Sequence, residues 1–595
     1  MNILDLPNEM LVKVASFLPV KDLKSLSLTC HRFNDLAVGP VLAVKGVLWL
    51  NKVEETVNTY GEKELKKQYI DYEVLKKIKR NYHAVGIYLP VDLSSSEFVV
   101  LYRRLMTMFS MKKIIRDLHV VDSNKLHMAT LYKNCSALFQ TLVGLSVTVV
   151  DSPIVEDKVM GMDMPSLRWI KWNEEKFHSN MWENRCVLIN LTAPKLQQAK
   201  FEMPDDMHVT NQNYRSILAL KTVDQLQDLE CVLGDQVVEL LTNNRLPALK
   251  HLHLILEECS SSVSWDIIAS NTPNLEKLKL KRNPTTIRDI APLCSFLLYC
   301  SALTELHLEG MDISRVIEKT YLWNGIETLH LHDCFACVQR GKKVVFHLQN
   351  VRKFCASIGL TRQCQFVFDL PRVEELSLSK GNGSLDILEM PKLRTLHLGV
   401  MMRRQMTFLT SEMPALRTLI LDTPSMFLPV SESNYSLLLG SGVKLTNLTV
   451  ICRSAHAINE LLENVNRLQP GLATLKLIGM GAVSRISRTT LRSILKLPQL
   501  KCLLMTNIQL TAAIDEPYAL PRDLQRLRIR SVYTPVNSRF ISMKRNQYRL
   551  GNVVERKILH HNLVNANTAQ VPNYHEMHST CDTCIDRMSS LLPDA

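Results

Sequence analysis

Four metal-type ligands crowd into ten residues near the C-terminal end, His575-x-x-His578-x-x-Cys581-x-x-Cys584. Imidazole and thiolate are zinc ligands, but structural zinc sites draw two pairs from separated knuckles, and a uniform spacing of three would strain tetrahedral closure. A second concentration is histidine itself. His119, His253, His307, His330 and His397 fall at one phase of a recurring pattern, and His251 and His332 lie two residues away, hence on the same face of any strand. Lys277, Lys279 and Lys281 form a parallel basic row, with Arg352, Lys353, Arg394 and Arg417 further on and Glu305 and Glu375 adding acid. Three chemistries fit this patch. It can be a tolerable strand face with no special role, since copying a repeat copies its histidine. It can be a recognition surface for an acidic or phosphorylated segment, through charge-assisted hydrogen bonds. Or it can hold a metal through His307 and His330, for which the spacing fixes no third ligand. Catalysis has no support: no nucleophile, base and orienting acid can be placed together, and no phosphate-cradling glycine loop is present.

The phase that aligns these histidines belongs to a repeat. An apolar residue followed by others three and five positions on recurs about seventeen times, at a mean period of about 26 residues between Ile115 and Leu524. The clearest copies are Leu249/Leu252/Leu254, Leu275/Leu278/Leu280, Leu303/Leu306/Leu308, Leu393/Leu396/Leu398 and Leu472/Leu475/Leu477. Positions three and five point to one face of a short strand, and the residue between them points to the other. The rest of each unit is long enough for a turn, a helix or 3₁₀ segment and a return loop. One unit cannot bury its leucines alone, so the units must stack into a parallel sheet. Pro165, Pro194, Pro247, Pro273, Pro371, Pro391, Pro414, Pro470 and Pro498 each stand two residues before a first apolar position, where proline ends the convex segment. The predicted fold class is α/β: a leucine-rich-repeat horseshoe solenoid of about 17–19 repeats with its parallel sheet on the concave face.

Composition bounds the rest. No segment approaches 18 consecutive apolar residues and the first residues carry no basic leader, so neither a membrane span nor secretion is expected. Fifteen cysteines, an odd number at core-like phases, read as reduced packing residues of a cytoplasmic or nuclear protein. A net charge of +13 suits acidic partners but is diffuse over 595 residues, and aromatics for stacking bases are missing from the histidine column, so nucleic acid is not expected.

Residues 4–36 break the repeat. Leu6-Pro7-x-Glu9, Phe17-Leu18-Pro19-x-x-Asp22-Leu23 and Leu28-Thr29-Cys30-x-Arg32-Phe33 read as three short helices, the first opened by Pro7 and closed by Pro19. Some 40 residues hold little core, so part of this apolar surface should await a partner. These residues resemble the F-box, with Phe33 where tryptophan is frequent, and with the following repeats the chain resembles the F-box/leucine-rich-repeat class. The resemblance implies the non-catalytic substrate receptor of an SCF ubiquitin ligase. Its box binds the adaptor and through it a cullin, and its concave face binds an unknown target protein. Carried over by position, Leu6, Pro7, Leu11, Val14, Leu18 and Leu23 would face the adaptor. His253, Lys277, Lys279, His307, His330 and Arg352 would meet the target. Some plant hormone receptors that resemble this architecture seat an inositol phosphate; nothing here singles that out, and no cofactor is expected. The rival reading is a leucine-rich-repeat scaffold or inhibitor whose helices merely cap the stack.

The expected organisation is an F-box at 1–45, a junction at 46–110, repeats at 111–530 and a cap with a tail at 531–595. Charges between Lys52 and Arg80 suggest a helix or two on a solvated face, and Val44/Val47/Trp49 and Ala84/Ile87/Leu89 suggest early atypical repeats.

Overall fold

The chain divides into two compact units, Met1–Thr286 and Ile287–Ala595. The computed structural model describes residues 7–34, 41, 45–57, 63–78, 82–89, 94–112, 115–123, 125–149, 160–174, 186–202, 215–220, 223–233, 235–256, 264–282, 296–313, 324–336, 343–360, 365–379, 384–387, 390–399, 413–422, 443–452, 462, 465–479, 484–506, 508–510, 524, 526–530 and 556–557.

The first unit opens with helix α1 (Asn8–Ser16) and helix α2 (Val20–Ser27). Each follows a proline, at φ −55° and −65°, whose carbonyl accepts from the amide four residues on, Leu11 and Leu23 respectively. Pro19 thus opens the second helix as well as closing the first. Leu11, Ala15, Leu23, Phe33 and Val41 form a core, with Val12, Leu18, Leu26 and Cys30 packed on it. Phe33, in the place of the frequent tryptophan, is buried there. The end of α1 is tied down by Lys45, whose ammonium donates to the carbonyls of Ser16 and Leu18.

Repeat strands precede Ile115, as expected, and the first of them is one residue out of the expected phase; Val44 lies outside the described residues. Strand Val47–Trp49 pairs in parallel with Ala84–Tyr88, which pairs with Asp117–Ser123. The register aligns Leu48 with Val85 and Leu118, so the core row runs through Leu48 and Leu50, not Val47 and Trp49, whereas Ile87 and Leu89 are buried on the same face as Val85, as expected. Trp49 instead lies over Gly86, where a Cβ would come within 2.4 Å of the indole; glycine makes room for the ring. From there each strand pairs with the next through Gly144–Val149, Trp169–Glu174, Gln198–Glu202, Asp228–Leu233, His251–Leu256 and Lys277–Arg282.

The charged stretch after residue 50 is a β-hairpin, Asn51–Val57 against Lys63–Tyr69, with helix confined to Tyr72–Lys77. Val53, Thr56 and Val57 favour strand, and the antiparallel register sets position 54 opposite position 66, so a run of charge that reads as a solvated helix forms two paired strands instead.

The second unit repeats the parallel plan through Glu305–Glu309, Thr328–Ala336, Lys353–Leu360, Glu375–Ser379, Thr395–Leu398, Thr418–Asp422, Asn447–Cys452, Thr474–Gly479, Cys502–Thr506 and Arg526–Arg530. The core leucines are almost wholly buried: Leu306, Leu329, Leu396, Leu419, Leu448 and Leu475 are all 0% exposed. Each contributes roughly 1.5–3 kcal/mol of burial.

Between strands the expected helices form at Ser95–Lys112, Asp235–Asn243, Trp265–Asn271 and Arg488–Leu495. Elsewhere strand replaces helix. Met160–Asp163, Cys186–Thr192 and Arg215–Leu220 make a second parallel sheet in the first unit, and Lys343–His347, Gln365–Asp369 and Ser384–Ile387 make one in the second. Segments such as Lys343-Val344-Val345-Phe346 are rich in β-branched and aromatic residues, which pack better on a pleat. The prolines occupy the second position of tight turns. The carbonyls of Met164, Ala193, Leu246, Thr272, Leu370, Met390, Met413 and Gln469 accept from the amides of Leu167, Leu196, Leu249, Leu275, Val373, Leu393, Leu416 and Leu472, at 3.0–3.2 Å.

Candidate functional site

Two kinds of surface carry side chains for which the fold has no structural need. The first is on the N-terminal helices. Met10, Val14 and Phe17, at helical spacings of four and three, share one face of α1 and are 48%, 39% and 78% exposed; Leu28, after α2, is 87% exposed. The neighbouring inward face, Leu11 and Ala15, is 1% exposed. A helix whose inner face already closes a core yet carries a second apolar stripe outward is built to meet something apolar. Of the six residues carried over by resemblance, Pro7 and Val14 are exposed and Leu18 is half-buried. Leu11 and Leu23 are buried in the helical core, and Leu6 lies outside the described residues. Both side chains face the other helices and close that core. Met10 and Leu28, which the resemblance does not name, are exposed beside Val14 and Phe17, and the 10/14/17 spacing marks this stripe in the sequence.

The second surface is the strand face opposite the leucines. Parallel register lines up Gly86, His119, Ser146, Lys171, Lys200, Glu230, His253 and Lys279 in the first unit. In the second it lines up His307, His330, Cys355, Ser377, His397, Ile420, Thr449, Lys476, Leu504 and Arg528. The column deduced from the repeat phase is thus a physical row in each unit.

In the first unit Glu230 bridges its neighbours, its two oxygens lying 2.8 Å from Lys200 Nζ and 2.8 Å from His253 Nδ1. Burial pushes the Glu230 carboxyl up, but the hydrogen bonds and charges of His253 and Lys200 outweigh it and hold the group at about 2. One row over, Asp228 meets His251 Nδ1 and accepts from Gln198 Nε2 at 2.9 Å. Lys277 and Lys279 follow His251 and His253 in register on the next strand, two strands from Asp228 and Glu230. Further back, Gly144 leaves space for the Trp169 ring: a Cβ there would meet it at 2.0 Å and Asp117 Oδ1 at 2.4 Å. Burial raises the Asp117 carboxyl and lowers the neighbouring His119, each opposed by the charge of the other.

In the second unit His307 stacks on His330, ring centroids 4.0 Å apart and planes 9° from parallel, and His307 Nε2 lies 2.6 Å from Glu305 Oε1. His330 is 1% and Cys355 3% exposed. Column residues are therefore not uniformly open. With strands about 4.8 Å apart, a large neighbour covers a smaller or deeper one. Arg352 stands just before its strand, on an edge row where backbone hydrogen bonds run Glu327–Arg352–Glu374–Arg394–Arg417; it is not on the column. Its guanidinium lies 4.0 Å from Glu327 and is exposed.

The buried thiols of Cys135 and Cys334 serve packing: burial pushes both up to about 12, which keeps them protonated and inert. The tail ligands His575, His578, Cys581 and Cys584 lie outside the described residues. Among the described residues no helix is long and apolar enough to cross a membrane.

Residues 3–44 match the F-box-like family model. No curated protein matches the chain in sequence. Similar solved structures include an internalin from Listeria monocytogenes, 12% identical over 59% of this chain and 79% of that one, TM-score 0.22. They also include the leucine-rich-repeat ectodomain of the plant membrane receptor kinase GASSHO1/SCHENGEN3 from Arabidopsis thaliana, in complex with CASPARIAN STRIP INTEGRITY FACTOR 2. It is 11% identical over 76% of this chain and 64% of that one, TM-score 0.21. With the strand register described above, the chain joins an F-box-like domain at its N terminus to a leucine-rich-repeat fold.

Proposed function

We propose that this protein is the substrate-recognition subunit of an SCF ubiquitin ligase, acting by binding alone while other subunits transfer ubiquitin. The observation that carries this is the outward stripe Met10–Val14–Phe17 with Leu28 on a domain that matches the F-box-like model and has its own closed core. A plain cap would turn that stripe onto the repeats. The adaptor docks on this stripe and brings the cullin with it. The target protein docks on the strand faces, where Lys277 and Lys279 beside His253 suit an acidic segment; the protein works in the cytoplasm or nucleus and needs no cofactor for recognition. Co-expression with the adaptor tests the reading. The full chain should co-purify with adaptor and cullin, and a Val14→Ser/Phe17→Ser variant should lose both while keeping its circular dichroism. Equal recovery by the two proteins returns the chain to the scaffold reading.

A further inference from the structure

In the second unit, three soft or borderline ligands converge without help from distant sequence. His330 and His332 alternate onto one face of the strand Thr328–Ala336, and Cys355 is the register partner of His330 on the next strand. The ligating atoms of His330, His332 and Cys355 all lie within 4.8 Å of one another. The two imidazole centroids are 5.8 Å apart. We propose that these residues form a binding site for Zn²⁺, separate from the adaptor-docking stripe and independent of any ligase role. Two imidazoles and a thiolate are a donor set that zinc prefers. Zn–N bonds of about 2.0–2.1 Å and a Zn–S bond of about 2.3 Å put tetrahedral ligands roughly 3.5 Å apart, so closure needs side-chain shifts of about 1 Å and no backbone movement. The surroundings favour this. His330 and Cys355 are buried on paired strands, and the His307 ring stacked on His330 fixes the plane of that imidazole. A bulge between Leu331 and Cys334, with Asp333 at φ 45°, turns the strand just after His332 and keeps Cys334 in the core. Three protein ligands leave a fourth position for water.

The test uses the full chain, stripped of metal by chelator and titrated with Co²⁺ as a spectroscopic stand-in for zinc. A thiolate-to-cobalt charge-transfer band with tetrahedral ligand-field bands should grow to one equivalent and vanish on adding Zn²⁺. Cys355→Ser should abolish the charge-transfer band. His332→Ala, a half-buried position that spares the core, should weaken binding more than about 100-fold, beyond the 10- to 100-fold typical of outer-shell changes. A Cys581→Ser/Cys584→Ser variant should keep the signal. The proposal fails if no thiolate band appears in the wild-type chain. It also fails if the band survives in folded His332→Ala at unchanged affinity, or if it is lost with the tail cysteines instead.

Discussion

Glu230 and His253 sit on adjacent strands of the first unit, carboxylate oxygen and Nδ1 2.8 Å apart, with Lys200 on the carboxylate's other side. That arrangement makes a pH prediction whose sign is fixed. The folded Glu230 titrates at about 2 against an ordinary 4.5, so its stabilising effect is fully present above 4.5 and disappears as pH falls from there to about 2. Glu230→Gln should therefore melt below wild type at neutral pH, and the gap should close across that acid window. A gap that stays constant from pH 7 to pH 2 would separate Glu230 from its two cationic neighbours.

The strand phase makes a sharper contrast. Leu306 is 0% exposed in the core row, and His307, one residue on, faces the other way. Leu306→Asp puts an unpaired carboxylate among leucines and should cost several kcal/mol, enough to unfold its neighbours in a stacked array. His307→Ala loses a ring stack worth about 0.5–1.5 kcal/mol and should fold. Thermal melts of the two variants decide it; equal losses would invert the assignment of faces.

Gly144 tests the close approach of Trp169. Gly144→Ala places a methyl 2.0 Å from the indole and 2.4 Å from Asp117 Oδ1, so the ring must shift. A loss of about 1–3 kcal/mol in denaturant unfolding, with a changed tryptophan emission, is expected from overpacking. A neutral substitution would mean that the ring has room to swing away.

The proposed target face makes Lys277 and Lys279 the pair to reverse. Lys277→Glu/Lys279→Glu should abolish binding of an acidic target without touching adaptor binding, and wild-type capture should weaken with added salt. Capture that survives the double reversal, measured by pull-down from cells with the proteasome blocked, moves the target site off these strands.

Much of this architecture was legible because a spacing of three and five is enough to assign faces: the column from His119 to Arg528 reappears residue for residue as register partners within each unit. What was hidden depended on partners the spacing does not name. Trp49 looked like a core residue until Gly86, 37 positions away, showed where its ring rests. The charges of residues 52–67 looked helical because a cross-strand pair such as Glu54 and Lys66 leaves no local trace. Cys355 read as an ordinary column position, and its meeting with His332 arises from side chains two positions apart in register. Leu11 and Leu23 carry the F-box pattern, but which face of a short helix turns inward is decided by Phe33 and Val41, beyond the helices themselves.

The exposed stripe Met10–Val14–Phe17 is the proposed adaptor-docking surface, and calorimetric titration of the adaptor into the full chain examines it directly. Phe17→Ala should leave the melt unchanged and weaken the complex about 30-fold or more, the loss of about 2 kcal/mol that an aromatic anchor carries. Leu11→Ala should instead lower stability by about 2–5 kcal/mol through the core it helps to close. Unchanged adaptor affinity in folded Phe17→Ala, or no adaptor binding by the wild-type chain, would contradict the account.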